Sequence, residues 1–156
     1  MKHRARWILT ALALLSLGGC VPMTFSREAA IDFDTYRHAA VLVSMHGLLA
    51  SYDDAGATAY LVSELQAGSG FETVSPGLSN AADLTLHVDV TVTELVSGDG
   101  DQIDYEFASD ARFTAVDRAG TQIDSGETYD SNEFVTEAVQ DALDEVALHY
   151  LEPYRL

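Results

Sequence analysis

One cysteine, Cys20, and one lysine, Lys2, are all that the 156-residue chain holds of those two residue types. A single thiol excludes an internal disulfide, so the core has to stand on packing alone. Basic residues number eight against 25 acidic ones, for a formal charge of −17. Nucleic-acid binding draws on clustered Lys and Arg that displace counterions from phosphates, and no such cluster exists here. Direct docking onto an anionic lipid surface is disfavoured for the same reason. No apolar run approaches the roughly 20 residues that a membrane-spanning helix needs. Catalytic signatures are missing too: there is no Gly-x-Ser-x-Gly, no Ser-x-x-Lys and no Gly-rich phosphate loop. His3, His38, His46, His87 and His149 share no metal-ligand spacing. The expectation is a non-catalytic protein that carries no cofactor.

What is present begins at the amino terminus. Residues 1–6 are positively charged, residues 7–17 form an apolar run broken only by Thr10 and Ser16, and the small residues Gly18 and Gly19 precede Cys20. This is the layout of a secretory signal peptide. Leu17-Gly18-Gly19-Cys20 resembles a bacterial lipobox, which is an aliphatic residue, two small residues and a cysteine. The resemblance implies that Cys20 is diacylated on sulfur, that residues 1–19 are removed, and that the new amino terminus is acylated. Two or more acyl chains anchor a protein lastingly where one does not. Cleavage would take Lys2, Arg4 and Arg6 away, leaving five arginines against 25 acids and a formal charge of −20. In lipoproteins of this kind an aspartate just after the cysteine favours retention at the inner membrane. Val21 stands there instead, which points to the periplasmic face of the outer membrane.

Residues 20–32 read as the lipidated terminus and a tether, and residues 33–156 as one domain. Apolar residues make up 47% of the chain, enough to build a core. Residues 39–45 have the length and composition of a buried central strand. Residues 51–66 read as a helix, with Ser51 and Asp54 at capping-box spacing and Gly68 and Gly70 beyond its end. Residues 71–75 make a second strand. The strongest strand is 84–93, where Leu84, Leu86, Val88, Val90 and Val92 alternate with polar partners, so that one sheet face is buried and the other wet. A strand over 103–116 follows, with an apparent loss of phase at Ser109 and Asp110 that suggests a bulge. A turn at 117–120 leads to a strand over 122–128. The last helix carries a broad apolar stripe from Phe134 to Leu151, with Asp130 and Glu133 as its capping pair and Pro153 as its stop. The order β-α-β-β-β-β-α gives an α+β two-layer sandwich: a mostly antiparallel sheet of four to five strands with two helices on one face.

Two groups invite a chemical reading. Asp99, Asp101, Asp104 and Glu106 gather hard oxygen ligands near one turn, a weak calcium candidate that lacks the EF-hand pattern. His87 and Asp89 share the wet face of one strand, with solvation as the plainer account. Otherwise the acidity is compatible with a basic protein partner, bound cations or a solvated surface.

The lipobox, tether and element order are similar to small envelope lipoproteins with an anticodon-binding-like or related sandwich. These include the lipopolysaccharide-assembly lipoproteins, the amino-terminal domain of the Tol-system translocation protein and curli-secretion-type lipoproteins. The resemblance implies an accessory or assembly factor that is held to the membrane by its lipid and acts through contacts with another envelope protein. Direct lipopolysaccharide binding is not expected, since an anionic ligand would meet five arginines among 25 acids.

Overall fold

The computed structural model describes residues 31–47, 53–99 and 102–150. The leader, the lipobox with Cys20, most of the tether, Ser51, Asp101, Leu151 and Pro153 lie outside the described residues. Five strands and two helices follow in the expected order: β1 (His38–Gly47), α1 (Asp54–Gly68), β2 (Thr73–Pro76), β3 (Leu84–Asp99), β4 (Gln102–Asp117), β5 (Gln122–Asn132) and α2 (Val135–His149). They build one open sheet in the order β2-β1-β3-β4-β5.

The α+β class is as the sequence indicates, and the sheet is mixed, with its two longest pairings antiparallel. β1 pairs in parallel with both β2 and β3, while β3–β4 and β4–β5 are antiparallel. Parallel pairing needs a crossover, and α1 supplies it between β1 and β2. Among the described residues no helix is long and apolar enough to cross a membrane.

Alternation builds the core. Ala39, Val41, Val43 and Met45 of β1 stand in register with Leu84, Leu86, Val88 and Val90 of β3, all nearly inaccessible. Ala111, Phe113 and Ala115 of β4 continue the same inner face. Leu61 and Leu65 of α1 and Val139, Leu143 and Val146 of α2 close over it from one side. The small side chains of Ala111 and Ala115 let α2 approach the sheet closely. The helices also meet each other, and Tyr60 Oη donates to Asp144 Oδ1 across the seam at 2.7 Å.

α1 starts two residues beyond where the Ser51 pairing would place it. Asp53 is the N-cap, its Oδ1 accepting from Gly56 N at 2.6 Å, and Asp54 lies in the first turn, where a negative charge favours the helix dipole. Asp54 has a second task. β2 pairs only with residues 38–41 of β1, leaving the rest of that edge open. There Asp54 Oδ1 accepts from Met45 N at 2.8 Å, and the buried Thr58 Oγ1 accepts from Val43 N at 3.1 Å. The crossover helix therefore satisfies backbone donors that a missing strand would have taken.

Three local expectations are corrected. The β3–β4 register runs unbroken through Ser109 and Asp110; the irregularity lies instead between Ala115 and Val116, against β5. Ser109 sits on the inner face, fully buried, so the alternation of β4 never loses phase. Asp130 is a strand residue opposite Ser109 rather than a helix cap. α2 begins after Phe134 without a side-chain cap; Phe134 N donates to Asn132 Oδ1 at 3.4 Å. Packing also reaches back into the segment read as tether. Ile31 is buried, and Asp32 accepts from Thr35 Oγ1 at 2.8 Å and from Asp34 N at 3.1 Å. Those bonds hold the Asp32 carboxyl below its usual pKa.

Candidate interaction surfaces

The outer face of the sheet is uncovered. Ser44, Asp89, Arg112 and Glu127 are cross-strand neighbours on it. Arg112 Nε lies 3.9 Å from Asp110 and 3.7 Å from Glu127, and its side chain is largely exposed. Such exposed pairs contribute little, about 0–1 kcal/mol. The expected neighbours His87 and Asp89 are not a pair. Asp89 Oδ1 meets His46 Nε2 at 3.4 Å, while His87 stands between Leu42 and Thr114 in register. Sequence spacing found the shared face but missed His46, because the parallel β1–β3 register that brings it there is not written in either strand alone.

A second surface is the far end of the β3–β4 hairpin. β1 stops opposite Val92, and β5 reaches only as far as Phe107. Beyond these points residues 95–99 and 102–106 pair only with each other among the described residues, as a two-stranded arm. Gly47 lies opposite Val92. Its φ is +86°, and a Cβ there would lie 2.2 Å from the Val92 carbonyl oxygen, so the last described residue of β1 is one that only glycine fits. From Val92 to Asp99 the extension amounts to roughly 20 Å.

The arm exposes apolar side chains on both faces. Val96 and Tyr105 are directly opposite on the helix side and are 62% and 53% exposed. Leu95, on the other side, is 40% exposed. Tyr105 and Phe134, the latter 61% exposed, line an open groove of about 900 Å³ whose rim carries Asp104, Glu106 and Glu133. Glu106 and Asp104 share a face of β4 by alternation, but Glu106 Oε1 already accepts from Ser131 Oγ. The side chain of Asp99 and all of Asp101 lie outside the described residues. Among the described residues no three His, Cys, Asp or Glu side chains are grouped to hold a metal ion.

A third polar group is buried between sheet and helix. His149 Nε2 is 2.8 Å from Asp124 Oδ2, and its ring packs on Phe113 and Tyr150 with centroids 4.9 and 5.0 Å away. Gly126 lies opposite Phe113 in the register, and a Cβ there would come within 2.5 Å of the ring, so only glycine leaves room for it. The Tyr150 hydroxyl is buried and forms no hydrogen bond of acceptable geometry. Burial, with the Asp124 carboxylate nearby, raises its pKa far above the usual value. This cluster fastens α2 to β4 and β5.

No protein-family model and no curated protein matches the chain. Solved structures do share its fold. PelC from Paraburkholderia phytofirmans, a dodecamer in both of two crystal forms, superposes with TM-scores of 0.58 and 0.55 at 18% and 17% identity. The alignments cover 80% and 81% of this chain and 93% and 96% of those chains. A DUF330 protein from Xanthomonas campestris superposes with a TM-score of 0.50 at 12% identity, covering 78% of this chain and 84% of its own. A minor lipoprotein from Acinetobacter baumannii gives a looser fit, TM-score 0.45 at 16% identity over 72% of this chain and 87% of its own. At these identities the likeness concerns the fold: a mixed sheet with two helices on one face.

Proposed function

We propose that this protein is a lipid-anchored lipoprotein of the bacterial envelope, a non-catalytic accessory or assembly factor that works through protein contacts. The observation that carries the reading is the placement of Cys20, the sole thiol, at the end of a signal-peptide layout and about ten residues ahead of Ile31, the first described residue, which is already buried. Diacylation there would hold an acidic body close to a membrane that it has no basic surface to bind directly. The periplasmic face of the outer membrane is the favoured side, from Val21. The fold likeness to PelC chains solved as dodecamers adds a specific partner to the reading: copies of the same chain.

Fractionation tests the anchor. Wild-type protein is expected in the membrane fraction and to take up a metabolic acyl label, whereas Cys20→Ala protein is expected soluble and unlabelled. Cys20→Ala protein that still sediments with membranes would overturn the lipid-anchor reading.

A further inference from the structure

We infer that the β3–β4 arm is the contact through which one copy of this chain holds the next. The inference rests on the self-association part of the reading above and names the surface responsible. A two-stranded ribbon is marginally stable in water by itself and needs a third element to cover it. Among the described residues neither β1 nor β5 pairs with residues 95–99 and 102–106, so within that part of the chain the outer edges of the ribbon have no strand partner. Its two faces differ: Val96 and Tyr105 lie on one, Leu95 on the other, while the groove beside Phe134 runs along the β4 edge and is walled by residues of both faces, Tyr105 and Glu106 among them. Distinct surfaces on opposite sides suit a head-to-tail contact, in which each copy offers one side to its neighbour, and such contacts close into rings.

Charge separates a second copy from a foreign basic partner. Two bodies of formal charge −17 repel, so their association depends on buried apolar area and strengthens as salt screens the repulsion. A basic partner drawn to Asp104, Glu106 and Glu133 would let go as salt rises.

The experiment is native mass spectrometry and sedimentation of the full chain in mild detergent, at about 0.05 M and about 0.5 M sodium chloride. Wild-type protein is expected to form multi-copy species that increase with salt. The double variant Val96→Glu with Tyr105→Glu is expected to associate at least about tenfold more weakly, as when an interface centre is lost. Leu78→Glu, in the loop before β3 and 77% exposed, is expected to behave as wild type. Circular dichroism checks that each variant is folded. Should the double variant not fold, a photo-crosslinker at position 105 of otherwise wild-type protein is expected to join two copies in intact cells. Normal assembly by the folded double variant would overturn the arm assignment and leave self-association standing. Single copies at every salt concentration would overturn both, while the Cys20 anchor is judged separately by fractionation. Cross-links from position 105 only to a different protein, in a complex that salt dissolves, would replace the second copy with a basic partner.

Discussion

The two halves of the β3–β4 hairpin make an instructive contrast. Both have the same strands, the same antiparallel register and the same alternation of apolar with polar residues. In the base half, Leu86, Val88 and Val90 are buried beneath the helix layer, on a strand held between β1 and β4. In the arm, Val96 and Tyr105 follow the same period and stay exposed. Alternation therefore states which way a side chain points. Whether that direction is dry depends on neighbours that other parts of the chain supply.

Stability measurements should separate the halves clearly. Leu86→Ala removes a fully buried side chain beneath the helices and is expected to destabilise by about 2–5 kcal/mol. Val96→Ala in the arm is expected to stay within about 0.5 kcal/mol, as exposed substitutions do. Urea unfolding of the dilute, unassembled chain measures both. Comparable losses at the two positions would mean that the arm is covered within a single copy, and the contrast would fail.

Gly47 stands at the boundary between the halves, opposite Val92. Gly47→Ala is expected to destabilise by about 2 kcal/mol, since it combines a positive φ with a backbone oxygen in the path of the new Cβ. The loss should appear as a lower thermal midpoint, with little change in the arm's own exposure. An unchanged midpoint would show that the position accepts a side chain and is not one that only glycine fits.

Much of the base was legible before any coordinates. Period two in residues 84–92 names its buried residues correctly, and so does the apolar stripe of the last helix from Ala138 to Tyr150, because each element carries a full face of evidence in a short window. Phe134 at the head of the stripe is exposed, and Leu151 lies outside the described residues. The errors arise where one residue has to stand for a relationship. Ser109 is a polar side chain at an inner position, so it looks like a break in phase when it is only a serine in the core. Asp130 and Glu133 have cap spacing, but Asp130 still pairs with Ser109 of β4, and α2 begins only at Val135. The parallel placement of β1 beside β3, which brings His46 to Asp89, depends on a crossover whose direction no local pattern records. The arm was legible only as an acidic turn. Its significance lies in where β1 and β5 stop, and that is a property of three strands together.

The smallest expected effect concerns the one buried hydroxyl that an aromatic swap can remove cleanly. Tyr150 packs against Phe71, Phe113 and His149, and its Oη has no hydrogen-bond partner. Tyr150→Phe keeps the ring contacts and deletes an unsatisfied group, so at neutral pH it should be neutral or stabilise by up to about 1 kcal/mol. The difference should emerge in alkali. The unfolded chain releases the phenolic proton near its ordinary pKa of 10.0, whereas the folded state keeps it because the pKa there is raised. The stabilisation from keeping Tyr150 neutral is thus complete below pH 10 and declines as pH rises above it. Urea midpoints taken at successive pH values should fall more steeply above pH 10 for wild type than for Tyr150→Phe. Parallel declines would mean that the hydroxyl is wet and that the seam between α2 and β4 is looser than the rest of the base.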